Sequence, residues 1–426
     1  MTPLESNQTK FIDLRNQYPV FHFDTFKYQI KENDIQIQFF YHINEIKFEP
    51  KINVRFGKFL CHSLSHDNLE GLIFNIGLIE LISYWKCVAS PIVMIHPYTL
   101  NADQQKWWKK LYFKGLGEYF YQNSIVSTLN DFLNFQFDLD AKSYELLSFE
   151  SIQNSKRVIV PIGGGKDSVV TLEHFLQNQH DVIPFIINPR GATLDCARVA
   201  GFENEHDIFI IHREIDPLLI QLNKKGYLNG HTPFSAMLAF YTTLVGYLTN
   251  TREIALSNEA SANESTIPGT DINHQYSKSI EFELDFQEYV KKYMNDCIHY
   301  YSFLRPLSEL EIAEKFAQYK SYHPVFKSCN AGSKENKWCC NCPKCLFAYI
   351  ILSPYLSSEE LVNIFGEDLL NKPSLNTYFE ELTGIADVKP FECVGTIEEV
   401  NQAIHYILPQ QKDKYLIQNY IKKNKL

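Results

Sequence analysis

The sequence predicts an α/β protein in which a doubly wound parallel sheet follows an α+β domain and precedes a helical region stapled by a four-cysteine zinc site. Three observations predict it. A β-branched run, RVIVPI at 157–162, passes directly into GGGKDS and then into the helical segment VVTLEHFLQ. Two further strand candidates, DVIPFII at 181–187 and DIFIIH at 207–212, alternate with helical stretches, the order of a parallel sheet. Five of the ten cysteines crowd into residues 329–345.

At 426 residues the chain is too long for one ordinary core. We expect an α+β domain over residues 1–150, a nucleotide domain over 151–325, and the zinc site with C-terminal helices over 326–426. The first part opens with alternating apolar and polar residues, DIQIQFFYHI and KINVRF among them, which reads as strands. Residues 69–86 then place Leu69, Ile73, Ile76, Ile79 and Ile82 at spacings of three and four, one face of a helix. Phe234 to Leu248 is the most apolar stretch, shorter than the roughly 20 residues that cross a bilayer, and predicts a buried helix. Thr396 to Glu399 has the capping-box pattern of a helix start.

Composition narrows the function. A hydrophobic fraction of 45% with 21% charged residues lies in the usual globular range. The net charge of −10 disfavours a nucleic-acid partner, so the 31 Phe and 25 Tyr are expected in cores. The segment MTPLESNQTKFIDLRNQYPVF has no apolar run, which predicts neither a secretory signal nor an anchor and places the chain in the cytoplasm without a membrane role.

The glycine loop carries the most specific chemistry. Gly163, Gly164 and Gly165, lacking Cβ atoms, let backbone N–H groups converge on phosphate oxygens, and the helix N-terminus adds partial positive charge. Lys166 supplies a cation, Asp167 could hold Mg²⁺, and Ser168 could donate to a phosphate. A Walker loop would need Ser or Thr directly after the lysine, and a dinucleotide fingerprint would need glycine at Ser168. The loop is similar instead to the SGGxDS loop of the N-type ATP pyrophosphatases, with Gly163 replacing the first serine. That resemblance implies binding of ATP and its cleavage to AMP and pyrophosphate.

Cys339, Cys342 and Cys345 are spaced C-x-x-C-x-x-C, with Cys329 ten residues upstream, so four thiolates could surround one tetrahedral Zn²⁺. Such a closed site is structural. Cys340, between two ligands, is left as a spectator, and an iron–sulfur cluster could use the same four ligands. Loop and cysteines together resemble 7-cyano-7-deazaguanine synthase, a rival reading in which the activated carbon passes to ammonia. A protein that binds the nucleotide without turnover is a second rival.

Two polar segments, SNEASANES at 257–265 and NHQYSKS at 273–279, have the functional groups of site loops. Glu259 and Glu264 could serve metal or substrate, Asn258 and Asn263 could orient amides, and His274, Tyr276 and Lys278 could carry protons. Arg305, in FLRPLSELEI, could clamp a phosphate or carboxylate, or pair with Glu309 at the surface. Cys196 could carry a proton only with a lowered thiol pKa.

Taken together, SYWK at 83–86, GLGEYFYQN at 115–123, PIGGGKDS, SNEASAN, NHQYSKS, FLRPLSELEI and SCN…WCCNCPKCLF resemble the MurL family of UDP-N-acetylmuramoyl-L-alanyl-L-glutamate epimerases. The resemblance implies ATP- and Mg²⁺-dependent inversion of the terminal L-glutamate of a UDP-muramoyl dipeptide in peptidoglycan synthesis, with release of AMP and pyrophosphate.

Overall fold

A computed structural model describes residues 3–60, 64–143, 156–267, 269–270 and 272–425. The boundary expected near residue 150 lies outside them. The strands are β1 (Val20–Ile30), β2 (Asp34–Ile43), β3 (Ile46–Phe48), β4 (Lys51–Arg55), β5 (Ile92–Ile95), β6 (Asn134–Phe137), β7 (Arg157–Pro161), β8 (Asp181–Ile187), β9 (Phe209–Glu214), β10 (Glu253–Leu256) and β11 (His299–Ser302). The chain divides into two compact units, each discontinuous in sequence.

Unit 1 comprises Met1–Ile159, Phe209–Ile254 and Tyr276–Tyr300. Its strands run in the order β9-β4-β2-β1-β5-β6, with β3 beside β2. Pairing is antiparallel from β9 to β1 and parallel from β1 through β5 to β6. The sheet is therefore mixed and not purely parallel. The third strand candidate, DIFIIH, begins two residues later than expected, at Phe209, and runs antiparallel to β4. Alternation in β2 buries Ile35, Ile37, Phe39, Tyr41 and Ile43 on one face, the period of two that the sequence displayed.

Against this sheet lies the helix His66–Trp85, started by Ser65 as N-cap. The helix expected over residues 69–86 is present and Leu69, Ile73, Ile76, Ile79 and Ile82 are buried, but burial goes beyond that one face: every residue from Gly71 to Trp85 is buried. A helix that is apolar all round belongs in the interior. At Gly77 a Cβ would fall 2.5 Å from the Phe23 ring, so only glycine admits the approach of helix to sheet. The Tyr41 hydroxyl donates to the Gly77 carbonyl at 2.7 Å. The helix Phe234–Leu248 occupies the bounds the sequence predicted and is buried over most of its length.

Unit 2 comprises Val160–Ile208, Ala255–Gln275 and Tyr301–Leu426. Here the C-terminal ends of the strands follow the order β11-β10-β7-β8, and β8 has the predicted bounds. Helices Lys166–Gln177 and Glu309–Ala317 pack together, and the latter also meets Pro343–Leu352 and Ile397–Ile407. Both units thus contain helices and strands, an α/β chain.

Candidate active site and metal centre

The loop after β7 turns sharply because Gly164 has a φ of +82°, and a Cβ there would lie 3.0 Å from Ala192 and from the Thr193 nitrogen. Its carbonyl accepts from the Lys327 N–H at 2.7 Å. Gly163 has no such constraint, since an added Cβ meets nothing within 4 Å. Gly165 is the N-cap of the helix Lys166–Gln177 and supplies no side-chain cap. The first-turn amides therefore keep their donor capacity for an anion. Ser168 Oγ donates to the Gly165 carbonyl at 2.9 Å.

Lys166 is 6% exposed, and its ammonium donates to both Asp167 and Glu309. Burial opposes its charge, but these two carboxylates outweigh burial and hold its pKa well above the usual lysine range. Glu309 is the first residue of its helix, placed there by a capping box between Ser308 and Glu311. Its own N–H donates to Glu399 Oε1 at 2.8 Å. The other Glu399 oxygen accepts from the Thr396 N–H at 2.8 Å and hydroxyl at 2.9 Å. One carboxylate thus serves the N-termini of two helices.

Burial pushes the Glu309 carboxyl up to about 8 against the pull of Lys166, and repulsion from Asp167 and Glu259 adds to it. Glu259 is 3% exposed, and its Oε2 is buried with no hydrogen-bond partner among the described residues. Three carboxylates therefore share the surroundings of one ammonium. Crowded acidic groups with an orphaned buried oxygen suit a hard divalent cation, and Asp167 and Glu259 have the oxygen donors Mg²⁺ requires.

The remaining candidates are distributed unevenly. Arg305 donates to the Glu259 carbonyl at 2.8 Å and to Ser302 Oγ at 3.1 Å, so it braces the Glu259 segment. The alternative surface pair of Arg305 with Glu309 does not form, because Glu309 is buried against Lys166. Asn258 donates to the same Ser302 Oγ at 3.0 Å. Asn263 donates to the Ala260 carbonyl at 3.0 Å, and Glu264 is ion-paired with the buried Lys389. The His274 N–H donates to Thr266 Oγ1 at 3.0 Å, within unit 2. Tyr276 and Lys278 belong to unit 1. Tyr276 is buried, and burial, with Glu281 and Asp285, holds its phenol well above the usual range. Burial likewise pushes the Cys196 thiol up to about 12, opposite to what a proton carrier needs.

Sequence reading missed Glu309 as a site residue, and Glu399 with it. The T-x-x-E cap pattern at Thr396 was visible, but not that Glu399 would also accept from the N–H of Glu309, the partner of Lys166.

In unit 2, Cys329 and Cys342 lie 3.9 Å apart at sulfur, Cys339 and Cys345 3.7 Å, and Cys342 and Cys345 3.4 Å. A tetrahedron with Zn–S bonds near 2.3 Å has sulfur–sulfur edges of about 3.8 Å, whereas a disulfide would require about 2.05 Å. The four sulfurs could hold a zinc ion. Cys342 also caps the helix Pro343–Leu352, its sulfur accepting from the Cys345 N–H at 3.4 Å, and its side-chain and backbone contacts with Cys345 pull its thiol toward the thiolate. Cys340 stands outside the group and donates to the Phe365 carbonyl at 3.0 Å.

The MurL N-terminal domain matches residues 13–303, and the MurL C-terminal domain matches residues 325–425. A protein of Salinispora tropica named UDP-N-acetyl-alpha-D-muramoyl-L-alanyl-L-glutamate epimerase is 34% identical over 327 residues, 75% of this chain and 69% of its own. Proteins of the same name from Xanthomonas oryzae pv. oryzae and a Micromonospora species are 34% and 33% identical, over 77% and 78% of this chain and 72% and 73% of theirs. With both domains matched and relatives covered over more than two thirds of their length, the chain belongs to the MurL family.

Proposed function

We propose that this protein is an isomerase that inverts the terminal L-glutamate of UDP-N-acetylmuramoyl-L-alanyl-L-glutamate to D-glutamate, with ATP as co-substrate, in the synthesis of peptidoglycan precursors. The observation that carries the reading is membership of a family whose matched relatives bear that name over more than two thirds of both chains.

The chemistry explains why an epimerase would need ATP. The α-proton beside a free carboxylate is a very poor acid, and adenylation converts that carboxylate into a mixed carboxylic–phosphoric anhydride whose carbonyl is a better electron sink. Each pKa unit gained in α-acidity lowers the deprotonation cost by about 1.4 kcal/mol. The α-carboxylate attacks the α-phosphorus of ATP and pyrophosphate departs. The glycine loop, with Ser168, receives the phosphates, and Lys166 stabilises the departing pyrophosphate. Asp167 and Glu259 would hold Mg²⁺, which supplies charge neutralisation for the leaving group. His274 takes the α-proton, and Lys278 or Tyr276 is assigned to the opposite face. Water then releases AMP and the D-glutamyl product. Asn258, Asn263, Glu264 and Arg305 are assigned to substrate positioning, directly or through Glu259.

Under the same reading, residues 151–325 have an ATP pyrophosphatase-like fold and residues 1–150 bind the UDP-muramoyl part. Zinc fastens residues 326–426. No described helix is long and apolar enough to cross a membrane, and the nucleotide-linked substrate is the reason to assign the enzyme to the cytoplasm.

Incubation with ATP, Mg²⁺ and the L,L-dipeptide substrate in deuterated water tests this. D-Glutamate carrying one deuterium, with stoichiometric AMP, is expected. Untouched ATP and no deuterium would reject it, and an amide formed in the presence of ammonia would favour the ligase reading.

A further inference from the structure

Unit 1 contains a second group of metal-ligating side chains that the proposed reaction does not use. β1 and β2 pair His22 with His42, and β1 and β5 pair His22 with Met94. The register breaks between Phe23 and Thr25, leaving Asp24 in a bulge, a device that re-aims side chains. His96 and Asp138 are the residues just past the paired ends of the parallel strands β5 and β6, where Ile95 faces Phe137. Ligand sites in parallel sheets collect at such strand ends.

The side chains converge. His22 Nδ1 and His96 Nε2 are 3.0 Å apart, and the two rings are nearly parallel, 7° between planes. One donor atom each from His22, Asp24 and His96 lies within 4.8 Å of the other two. His42 stacks on His22 at 4.1 Å and donates from Nδ1 to the Asp24 carboxylate at 2.8 Å. His96 donates from Nδ1 to Asp138 Oδ2 at 2.8 Å. That bond fixes its tautomer, so the lone pair on Nε2 faces His22, the carboxylate–histidine relay found behind metal-binding imidazoles. In a tetrahedral site with Zn–N bonds near 2.05 Å, two nitrogens stand about 3.3 Å apart, close to the spacing here. Burial, with His42 and His96 nearby, lowers the His22 pKa and favours its neutral ring. Asp24 and Asp138 bring the negative charge that a cation would balance.

We propose that His22, Asp24 and His96 bind a divalent transition-metal ion, with His42 and Asp138 as hydrogen-bonded supports. Three protein ligands leave a coordination position open. His96 and Asp138 also line a groove of about 420 Å³ with Glu70 and Lys142, so one edge of the ligand group borders solution.

The test is a zinc titration of the full chain, read by metal analysis after removal of free ion, with Co²⁺ as a second probe. Two equivalents are expected for the native protein and one for His96→Ala. With cobalt, the lost equivalent should be the one without a thiolate charge-transfer band. Asp138→Asn, which keeps every ligand, should weaken the second equivalent about 10- to 100-fold and guards against misfolding of the alanine variant. A native stoichiometry of one, or a second equivalent that survives both substitutions, overturns the proposal.

Discussion

An ion pair is buried in each unit, and the two are built differently. In unit 1, Arg213 Nε lies 2.7 and 2.9 Å from the two Glu80 oxygens, with Ser83 3.0 Å from Nη2 and the Tyr241 hydroxyl donating to Glu80. Burial opposes the Arg213 charge, and Glu80 more than restores it. One cation meets one anion, and a hydroxyl bonds to each. In unit 2, Lys166 faces Asp167 and Glu309 with Glu259 nearby. Desolvating charge is tolerable when it is matched, so the balanced pair reads as architecture and the acid-rich one as a place for a cation to arrive.

Several substitutions would break or sharpen that contrast. The largest effect is expected where a cation would be met by thiolates alone, among the four cysteines. Cys342→Ser should lose the zinc and much of the soluble, cooperatively melting protein, because metal-binding energy is folding energy there; a full metal complement with normal melting would remove the zinc assignment. Next, Arg213→Ala should cost about 3–5 kcal/mol in urea denaturation by stranding Glu80. A loss under about 1 kcal/mol would show that the pair is not structural.

Lys166→Met should act on turnover instead, lowering AMP formation by about 10²- to 10³-fold with a smaller loss of stability than Arg213→Ala. Melting like that of Arg213→Ala with turnover intact would erase the distinction. Acidity offers a finer reading. Glu309 is raised from an ordinary value of 4.5 to about 8 in the fold, so the native state binds the extra proton between those values. Stability from this group is therefore lost as pH rises through that window, and Lys166, held above its ordinary range, adds no slope there. Glu309→Gln should flatten the profile; an unchanged slope would show that Glu309 is ionised throughout. The smallest effects separate the glycines. Gly164→Ala should cost about 1–2 kcal/mol because of its left-handed backbone. Gly163→Ser should stay within about 0.5 kcal/mol and, by restoring a hydroxyl, lower the KM for ATP; a higher KM would mean that the loop excludes a side chain.

The contrast also explains what was legible in the sequence. Local signals carried well: RVIVP before GGGKDS is β7 and its loop, DVIPFII is β8, and C-x-x-C-x-x-C with Cys329 forms one sulfur group. Pattern located the helix His66–Trp85 but understated its burial, which takes in every face. Strand direction also escaped, because β9 reads the same whether its partner β4 runs with or against it. The Lys166–Glu309 pair was invisible for another reason: 143 residues separate its members, and no local periodicity links them.

Glu399, which accepts from the Glu309 N–H while capping its own helix, gives the site a schedule. The glycine loop leaves the ribosome long before the carboxylate that fixes its lysine's partner. At 5–20 residues per second, roughly 10–50 s of synthesis separates the two. A nascent chain therefore carries the glycine loop without its completed surroundings, and the helix that brings Glu309 to Lys166 gains its Glu399 partner only when the C-terminal helices have been made.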